Sequence, residues 1–354
     1  MSLRRCFGVI LGRVPVTAAP STSLRFASTY KAAVLQSAGS PLKIEDVKQK
    51  KLKKGQVRIK VKCCAVNASD YLLTQGVNPS KFPIPTVPGY EVCGNVIEAN
   101  ECEDVGKGDR VLALNKEILG GFAQECIADE KDVWTIPSSL NYKEGASLAD
   151  SFGTALLGLM RHGKMTEKQV VMVTLAPAHG YAPLDLAANV YKAKVIGVTM
   201  AESETEIMRE RGAWSALSYD EPLLISTVRD LTKNKGVDVI YDTLAGDVLK
   251  TCLQCISHEG HIIVAGYTLK ELPPVQMSQL LSLPSFSISG VSLKSYRKHA
   301  FKTYRETISV ALEMYDEQLI KPEIASVFPL KDVNKAIELI KEKQPVGKVI
   351  LEIT

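Results

Sequence analysis

The segment VMVTLAPAHGYAPLDLAANVYKAKVIGV, residues 171–198, has the residue types of a phosphate-binding turn between a strand and a helix. In a dinucleotide-binding unit the turn approaches the pyrophosphate closely, and free N–H groups at the start of the helix bind the phosphate oxygens. Such turns are normally rich in glycine, but this turn has one, Gly180, and Pro177 removes a donor. We predict that Thr174, Ala178 and Gly180 bind a dinucleotide cofactor.

The second strand of this unit, KVIGVT, ends at Thr199, which we also predict to bind the cofactor. An acidic residue at that position would favour NAD, because its carboxylate accepts a hydrogen bond from the ribose. Two acidic residues follow instead, Glu202 and Glu204, and Glu202 is a candidate for the ribose hydroxyl. Ser203 and Glu206 have the spacing of a capping box, which predicts that the next helix begins directly after Ser203.

The periodicity of the chain changes once and predicts two domains. Up to about Pro137, short β-rich runs alternate with Gly, Pro and Asn, which is typical of an all-β, partly open barrel. After Asn141, buried strands alternate with helices, as in a doubly wound parallel α/β sheet. We predict a first domain over residues 30–150, completed by 320–354, and a Rossmann domain over 151–319.

The first 29 residues differ in composition from the rest of the chain. They contain four arginines, several Ser and Thr, and no Asp, Glu or Lys, which is typical of a mitochondrial transit peptide. We predict that residues 1–29 are such a peptide and that the protein is located in the mitochondrial matrix; the alternative is a disordered tail. Removing them lowers the net charge from +4 to about zero, so charge gives no reason to expect binding to nucleic acid. No apolar run approaches the roughly 20 residues that span a bilayer.

Several motifs occur in an order that identifies a family. VNASDYLLTQG is followed by PIPTVPGYEVCGNV, GGFAQE, ASLADSFGTALLGL, VDVIYDTLAGD, EGHIIVAGY and GKVILEI. Together they resemble the zinc-independent medium-chain dehydrogenases/reductases, in the quinone oxidoreductase branch that includes zeta-crystallin. The resemblance implies a GroES-like catalytic domain beside the Rossmann domain, and hydride transfer from NADPH to a quinone or an α,β-unsaturated carbonyl. It also implies a homodimer, for which SISGVSL, residues 287–293, is the candidate edge strand.

The resemblance also assigns site residues. Asn67 and Asp70 match a segment that lies close to the nicotinamide in the family, and Thr154 matches a residue usually near it. Gly266 and Lys348 match cofactor-binding segments, with Lys348 near the phosphates. Structural alternatives remain open: Asn67 and Asp70 fix a turn, Thr154 bonds to its own helix backbone, and Lys348 is a solvated lysine.

No metal site is predicted. Zinc-dependent members of the family have a cysteine at the position of Asn67 and a histidine at the position of Tyr90. A catalytic zinc needs about three protein ligands, and neither an amide nor a phenol is a plausible one here.

Three departures from the family pattern leave the function open. The turn is poor in glycine, Asn78 replaces a tyrosine that can bind the substrate carbonyl, and Glu204 replaces a lysine of NADPH-dependent relatives. An acidic side chain repels the 2′-phosphate of NADPH. The first hypothesis is an NADPH-dependent reductase, with NADH not excluded. The alternatives are a degenerate relative that serves as a binding or structural protein, and a mitochondrial enoyl-thioester reductase, which the loss of the tyrosine disfavours.

Overall fold

The computed structural model describes residues 28–77, 82–175, 180–266, 281, 283–342 and 346–354. The elements of the first part are β1 (Thr29–Val34), β2 (Lys43–Lys48), β3 (Gln56–Val66), α1 (Ala68–Thr74), β4 (Glu91–Asn100), β5 (Arg110–Leu114), β6 (Glu125–Asp129), β7 (Val133–Thr135) and α2 (Tyr142–Leu157).

The second part alternates strands and helices. Its elements are β8 (Val170–Thr174), α3 (Ala182–Asp185), β9 (Lys194–Thr199), α4 (Thr205–Glu210), β10 (Ser215–Ser218), α5 (Glu221–Thr232), β11 (Val237–Asp242), α6 (Gly246–Leu253), β12 (Ile256–Val264), β13 (Phe286–Gly290), α7 (Leu293–His299), α8 (Phe301–Asp316), β14 (Ile324–Pro329), α9 (Val333–Glu342) and β15 (Lys348–Glu352). Turns of π-helix, Gly158–His162 and Leu186–Val190, continue α2 and α3.

The second part forms a six-stranded parallel sheet in the order β10-β9-β8-β11-β12-β13. The order in which successive strands are added reverses between β8 and β11, which is the arrangement of a Rossmann sheet. Apolar side chains bury both faces: Val171 and Val173 of β8 belong to one hydrophobic cluster, and Met172 between them belongs to another. The predicted doubly wound sheet is confirmed.

The first part forms a largely antiparallel sheet in the order β14-β15-β3-β4-β5-β7, with β6 also paired to β3. The last strand, β15, pairs antiparallel to β3, so the end of the chain joins the first domain. Together with the parallel sheet, this confirms a GroES-like domain beside a Rossmann domain.

Helix α2 connects the two domains. Asn141 caps its first turn by accepting hydrogen bonds from the N–H groups of Lys143 and Glu144, both 3.0 Å long. Most of its side chains are buried, and they contact β4 in the first domain and α8 in the second. One hydrophobic cluster therefore runs from the first domain through α2 to one face of the parallel sheet.

Two further predictions concern the transit peptide and the edge strand of a homodimer. The first 27 residues of the predicted transit peptide lie outside the described residues. Thr29 is the first residue of β1 and pairs with Lys48 of β2. β13 lies at the edge of the parallel sheet and contains residues 287–290 of the segment predicted for dimer contact. In the described part of the chain, none of the helices has the length and apolar character needed to cross a membrane.

Candidate functional site

Asp70 fixes the start of α1. Its carboxylate accepts the N–H of Asn67 at 2.9 Å and the N–H of Gly89 at 3.0 Å, so it joins α1 to the segment before β4. Gly89 has φ +88°, and a Cβ there would lie 2.5 Å from the ring of Phe122, so a glycine is needed for this approach. These contacts agree with the structural alternative for Asp70.

The same carboxyl group is buried among other charges. Burial raises the pKa of Asp70 to about 7, although the N–H groups of Asn67 and Gly89 and the charge of Lys348 oppose this rise. The side chain is 1% exposed. Asp70 is therefore a carboxyl group whose charge is costly at neutral pH.

A buried ion pair lies next to Asp70. The ammonium of Lys348, at the start of β15, donates to Glu91 Oε2 at 2.9 Å and to Asn67 Oδ1 at 2.6 Å. Asn67 Nδ2 in turn donates to Glu91 Oε2 at 3.3 Å. The side chains of Lys348 and Glu91 are 5% and 1% exposed, so Lys348 is not a solvated lysine. Its charge is shared with Glu91 and the amide of Asn67.

A second group of polar side chains extends this network. Tyr90 Oη donates to Asp150 Oδ2 at 2.7 Å, and Lys116 Nζ donates to Asp150 Oδ1 at 2.5 Å. Exposed Ser69 donates to Tyr90 Oη at 3.3 Å, and the N–H of Asp150 donates to Glu91 Oε1 at 2.9 Å. A continuous chain of hydrogen bonds thus runs from Ser69 to Lys116 and is joined to the buried ion pair.

The charges of this network set the protonation states of its members. Burial opposes ionisation of Asp150, but the ammonium groups of Lys116 and Lys348 hold its pKa well below the usual range. Burial and the charge of Asp150 raise the pKa of Tyr90 well above that of a free phenol. Tyr90 is therefore a firmly protonated hydrogen-bond donor. Thr154, which is buried, follows Asp150 by one turn of α2 and shares its helix face.

The carboxyl ends of the parallel strands form the other half of the site. Thr174 at the end of β8 donates from Oγ1 to Asp242 Oδ1 at 2.6 Å, across the point where the strand order reverses. The N–H of Thr243 donates back to Thr174 Oγ1 at 3.0 Å. Gly266, two residues after β12, lies at the same edge and is half-buried. The hydroxyl of Thr174 thus connects β8 to β11, and its predicted cofactor contact stays a prediction.

The turn after β8 is described only in part. Leu175 is fully buried, and its N–H donates to Val198 O at 2.8 Å, so it continues β8 and packs in the core. Ala178 lies outside the described residues. Gly180 has φ +53°, and a Cβ there would lie 3.6 Å from the Cα of Gly347. The turn therefore approaches the segment that leads into Lys348.

The end of β9 carries an acidic side chain. The hydroxyl of Thr199 donates to the carboxylate of Glu204, which bends back toward the strand. Helix α4 begins at Thr205, with Glu204 in the N-cap position and no side-chain cap. The predicted capping box of Ser203 and Glu206 is therefore wrong, and the bond from Thr199 gives the carboxylate of Glu204 a partner outside the helix.

Comparison with known proteins connects these two halves to a family. Residues 53–138 match the model of the alcohol dehydrogenase GroES-like domain, and residues 184–311 match that of the zinc-binding dehydrogenases. The quinone oxidoreductase-like protein 2 homolog of Nematostella vectensis is 36% identical over 327 residues, which cover 91% of this chain and 89% of the relative. The chain belongs to the quinone oxidoreductase branch of the medium-chain dehydrogenases/reductases.

Two further proteins are similar to most of this chain at lower sequence identity. The quinone oxidoreductase of Homo sapiens is 31% identical over 302 residues, covering 84% of this chain and 88% of the relative. A crystal structure of a probable oxidoreductase from Mycobacterium abscessus is 26% identical with a TM-score of 0.81, covering 92% of this chain and 100% of that chain. The family predicted from the ordered motifs is confirmed.

The predicted lack of a zinc site stays a prediction. In the described residues, no three His, Cys, Asp or Glu side chains are grouped so that they could hold a metal ion. Asn67 is bonded to Lys348, and Tyr90 is bonded to Asp150, so both positions that hold ligands in zinc-dependent members are used in the polar network.

The structure joins residues that the sequence predicted separately. Asn67 was predicted beside the nicotinamide and Lys348 beside the phosphates, yet the two side chains bond to each other. Sequence reasoning missed the network that surrounds them, which consists of Ser69, Tyr90, Glu91, Lys116 and Asp150. The available signals were the acidic residue that opens a buried strand in GYEVCGNV and the single Asp in the apolar helix ASLADSFGTALL.

Proposed function

We propose that the chain is a reductase that uses a reduced nicotinamide dinucleotide to reduce a quinone or an α,β-unsaturated carbonyl. The observation that carries this proposal is the segment Gly347–Lys348. Gly347 lies against the turn at Gly180, and Lys348 bonds to Asn67. The turn predicted to bind phosphate and the amide predicted to lie beside the nicotinamide are therefore neighbours of the same two residues.

The residues at the carboxyl edge of the sheet fit a dinucleotide. The strand order places a crevice between β8 and β11, where such cofactors bind in this architecture. Gly180 has a φ of +53°, a conformation that glycine adopts without strain where the backbone must approach a ligand closely. When bound, the reduced nicotinamide would supply the hydride.

Asn67 is the group that we assign to the acceptor oxygen. Lys348 bonds to its Oδ1, which fixes the orientation of the amide and directs Nδ2 away from the ammonium. One hydrogen on Nδ2 faces Glu91, and the amide has a second hydrogen to donate. A hydrogen bond to the acceptor oxygen would stabilise the negative charge that forms there on reduction.

The described residues favour a quinone over an enoyl thioester. Tyr90 carries the phenol of the network, which is a candidate proton donor. Its pKa is raised and its proton is directed to Asp150, so it is a poor acid for the substrate. A reduced quinone can take its proton from water, whereas reduction of an enoyl thioester depends more on a positioned acid. Asn78, which replaces the tyrosine of relatives, lies outside the described residues.

The test is reduction of an ortho-quinone by the full chain with NADH or NADPH. We expect dinucleotide oxidation with the quinone and none with a crotonyl thioester, and we expect Asn67→Ala to lower kcat by about tenfold or more, as for a lost oxyanion donor. Asn100→Ala is the matched control and should retain activity, because Asn100 ends β4 and lies far along the strand from Glu91, which begins it. Absence of binding of either dinucleotide at millimolar concentration would contradict the proposal.

That negative result would favour a second candidate, a relative that binds without catalysis. Lys348 supports this candidate, because the lysine expected near the phosphates is bonded to Glu91 and Asn67. A protein of this kind would keep the fold and the acceptor-side network while losing dinucleotide affinity.

Compartment and assembly are proposals as well. The composition of residues 1–29 supports import into the mitochondrial matrix. β13 is an edge strand with Ile288 43% exposed, which supports a homodimer formed by pairing of two such edges.

A further inference from the structure

The carboxylate of Glu204 lies at the end of β9. Thr199, the last residue of β9, is buried and donates its hydroxyl to this carboxylate. The N–H of Glu204 bonds to Ala201 O at 3.1 Å, which closes the intervening turn. Burial raises the pKa of Glu204, and the bond from Thr199 opposes this rise. The acidic group is therefore held beside the strand by a short turn and a hydroxyl donor.

This position has a specific meaning in a Rossmann unit. An acidic side chain about 20 residues after the phosphate-binding turn accepts the 2′-hydroxyl of the adenosine ribose, and a cation nearby accommodates a 2′-phosphate. Glu204 follows Gly180 at about this distance. Burial, and next the charge of Glu204, raise the pKa of Tyr181 in the turn, so the carboxylate acts electrostatically on the residue after Gly180.

The cations that follow β9 are already paired. Between β9 and β10 the chain has two arginines, Arg209 and Arg211. Arg211 bonds to Asp185 at 2.7 Å and to Glu323 at 2.5 Å, and its guanidinium lies 4.6 Å from the ring centre of Tyr181.

Arg209 is committed in the same way. It bonds to the carboxylate of Glu206 at 3.1 Å and to Ala216 O at 2.8 Å. Binding a phosphate through either arginine would require breaking an existing ion pair.

We propose that Glu204 makes the adenosine-ribose subsite selective for a dinucleotide with a free 2′-hydroxyl, so that the chain uses NADH in preference to NADPH. This inference rests on the proposed function, because it assumes that a dinucleotide binds at this edge of the sheet. The free hydroxyl would donate to the carboxylate of Glu204. A 2′-phosphate carries up to two negative charges and would be repelled by it.

The experiment measures binding without catalysis. ADP-ribose and 2′-phospho-ADP-ribose lack the nicotinamide, and isothermal titration of the full chain with each gives the ratio of their dissociation constants. We expect ADP-ribose to bind about tenfold more tightly or better, which corresponds to about 1.4 kcal/mol. Titration with NADH and NADPH should give the same ranking.

Variants assign this ratio to Glu204. Glu204→Gln keeps the shape and removes the charge, so it should bring the ratio close to one, and Glu204→Lys should reverse it. Glu210→Gln is the matched control, because Glu210 is an exposed residue at the end of α4, and the ion pair between Glu206 and Arg209 stays intact in this variant. Its ratio should equal that of the wild type. Thermal melting checks that each variant is folded, and the wild-type ratio decides the proposal without them.

The outcomes separate this inference from the proposed function. Equal or tighter binding of 2′-phospho-ADP-ribose by the wild type would overturn the inference, while reduction of quinones by NADPH would keep the proposed function. A wild-type preference that survives in Glu204→Gln would also overturn the role of Glu204. Failure of every dinucleotide and fragment to bind would overturn both.

Discussion

The acceptor side and the dinucleotide side of the proposed cleft differ in how fully their polar groups are paired. On the acceptor side, Lys348, Glu91 and Asn67 bond to one another, and Asp150 joins them to Tyr90 and Lys116. On the dinucleotide side, a turn poor in glycine follows a buried leucine, and an acidic residue lies where relatives have a lysine. The acceptor side thus holds a network of mutually bonded groups, whereas the dinucleotide side departs from the pattern that the family resemblance implies.

The difference follows from the cost of change in each environment. Removing one member of a buried ion pair leaves an unpaired charge, so such a network changes only through coupled substitutions. On the dinucleotide side, Glu204 is only half-buried and its carboxylate accepts from the neutral hydroxyl of Thr199, so a substitution there leaves no buried charge without a partner. Altered cofactor preference can therefore arise on the dinucleotide side without disturbing the acceptor side.

The largest expected effect comes from Lys348→Met. Loss of the ammonium leaves the carboxylate of Glu91 buried with the amide of Asn67 and the N–H of Asp150 as its neighbours, and we expect the free energy of unfolding to fall by about 3–5 kcal/mol. Chemical denaturation of the full chain measures this change. The acceptor side is then the more sensitive half of the cleft.

A matched variant and a double variant control this prediction. Lys143→Met removes an ion pair with Glu352 whose side chains are 39% and 50% exposed, and it should cost about 1 kcal/mol or less. Lys348→Met combined with Glu91→Gln should recover part of the loss. An equal loss of unfolding free energy in the two lysine variants would show that the buried network is not the more sensitive half of the cleft.

The second prediction concerns Leu175, at the position where relatives have the first glycine of the turn. Because its side chain is fully buried in the core, Leu175→Ala should lower the free energy of unfolding by about 2–5 kcal/mol and should not tighten dinucleotide binding. Denaturation and nucleotide titration measure both effects. Leu223→Ala, at a side chain 52% exposed, is the control with a small expected cost. Tighter binding in Leu175→Ala would mean that the leucine obstructs the turn.

The sequence predicted what depends on local pattern. Periodicity indicated the Rossmann strands, and the ordered motifs indicated the family and the partner domain. The bond between Lys348 and Asn67 spans 281 positions, and no local pattern encodes it. Leu175 lies in the segment read as a glycine-poor turn, and only the structure shows that its side chain packs in the core. The capping box failed because a 3-10 turn over Glu202–Glu204 precedes α4, which places Glu204 at the N-cap, and the carboxylate of Glu206 accepts a hydrogen bond from Arg209 instead.

The last effect, which is the smallest when it is compared over a single pH unit, is a pH dependence that belongs to the acceptor side. Burial raises the pKa of Asp70 to about 7 in the folded chain, from the ordinary value of 3.8 for an exposed aspartate. Between these pH values the folded state binds a proton that the unfolded state has released, so Asp70 makes stability fall as pH rises from about 4 to about 7. The slope from one such group is at most about 1.4 kcal/mol per pH unit.

Asp70→Asn should remove this contribution. Asp185, whose pKa burial raises to about 6, acts in the same direction, so the difference between wild type and variant isolates Asp70. Urea unfolding from pH 4.5 to 7.5 should give a stability curve for Asp70→Asn that falls less steeply than the wild-type curve. Asp247→Asn, at a side chain 81% exposed, is the control and should leave the curve unchanged. If Asp70→Asn leaves the slope of unfolding free energy against pH unchanged, the pKa of Asp70 is not raised in the folded chain. The hydrogen bonds from the N–H groups of Asn67 and Gly89 would then outweigh the burial of the carboxyl group, and the charges of the acceptor side would lower the stability less than their burial implies.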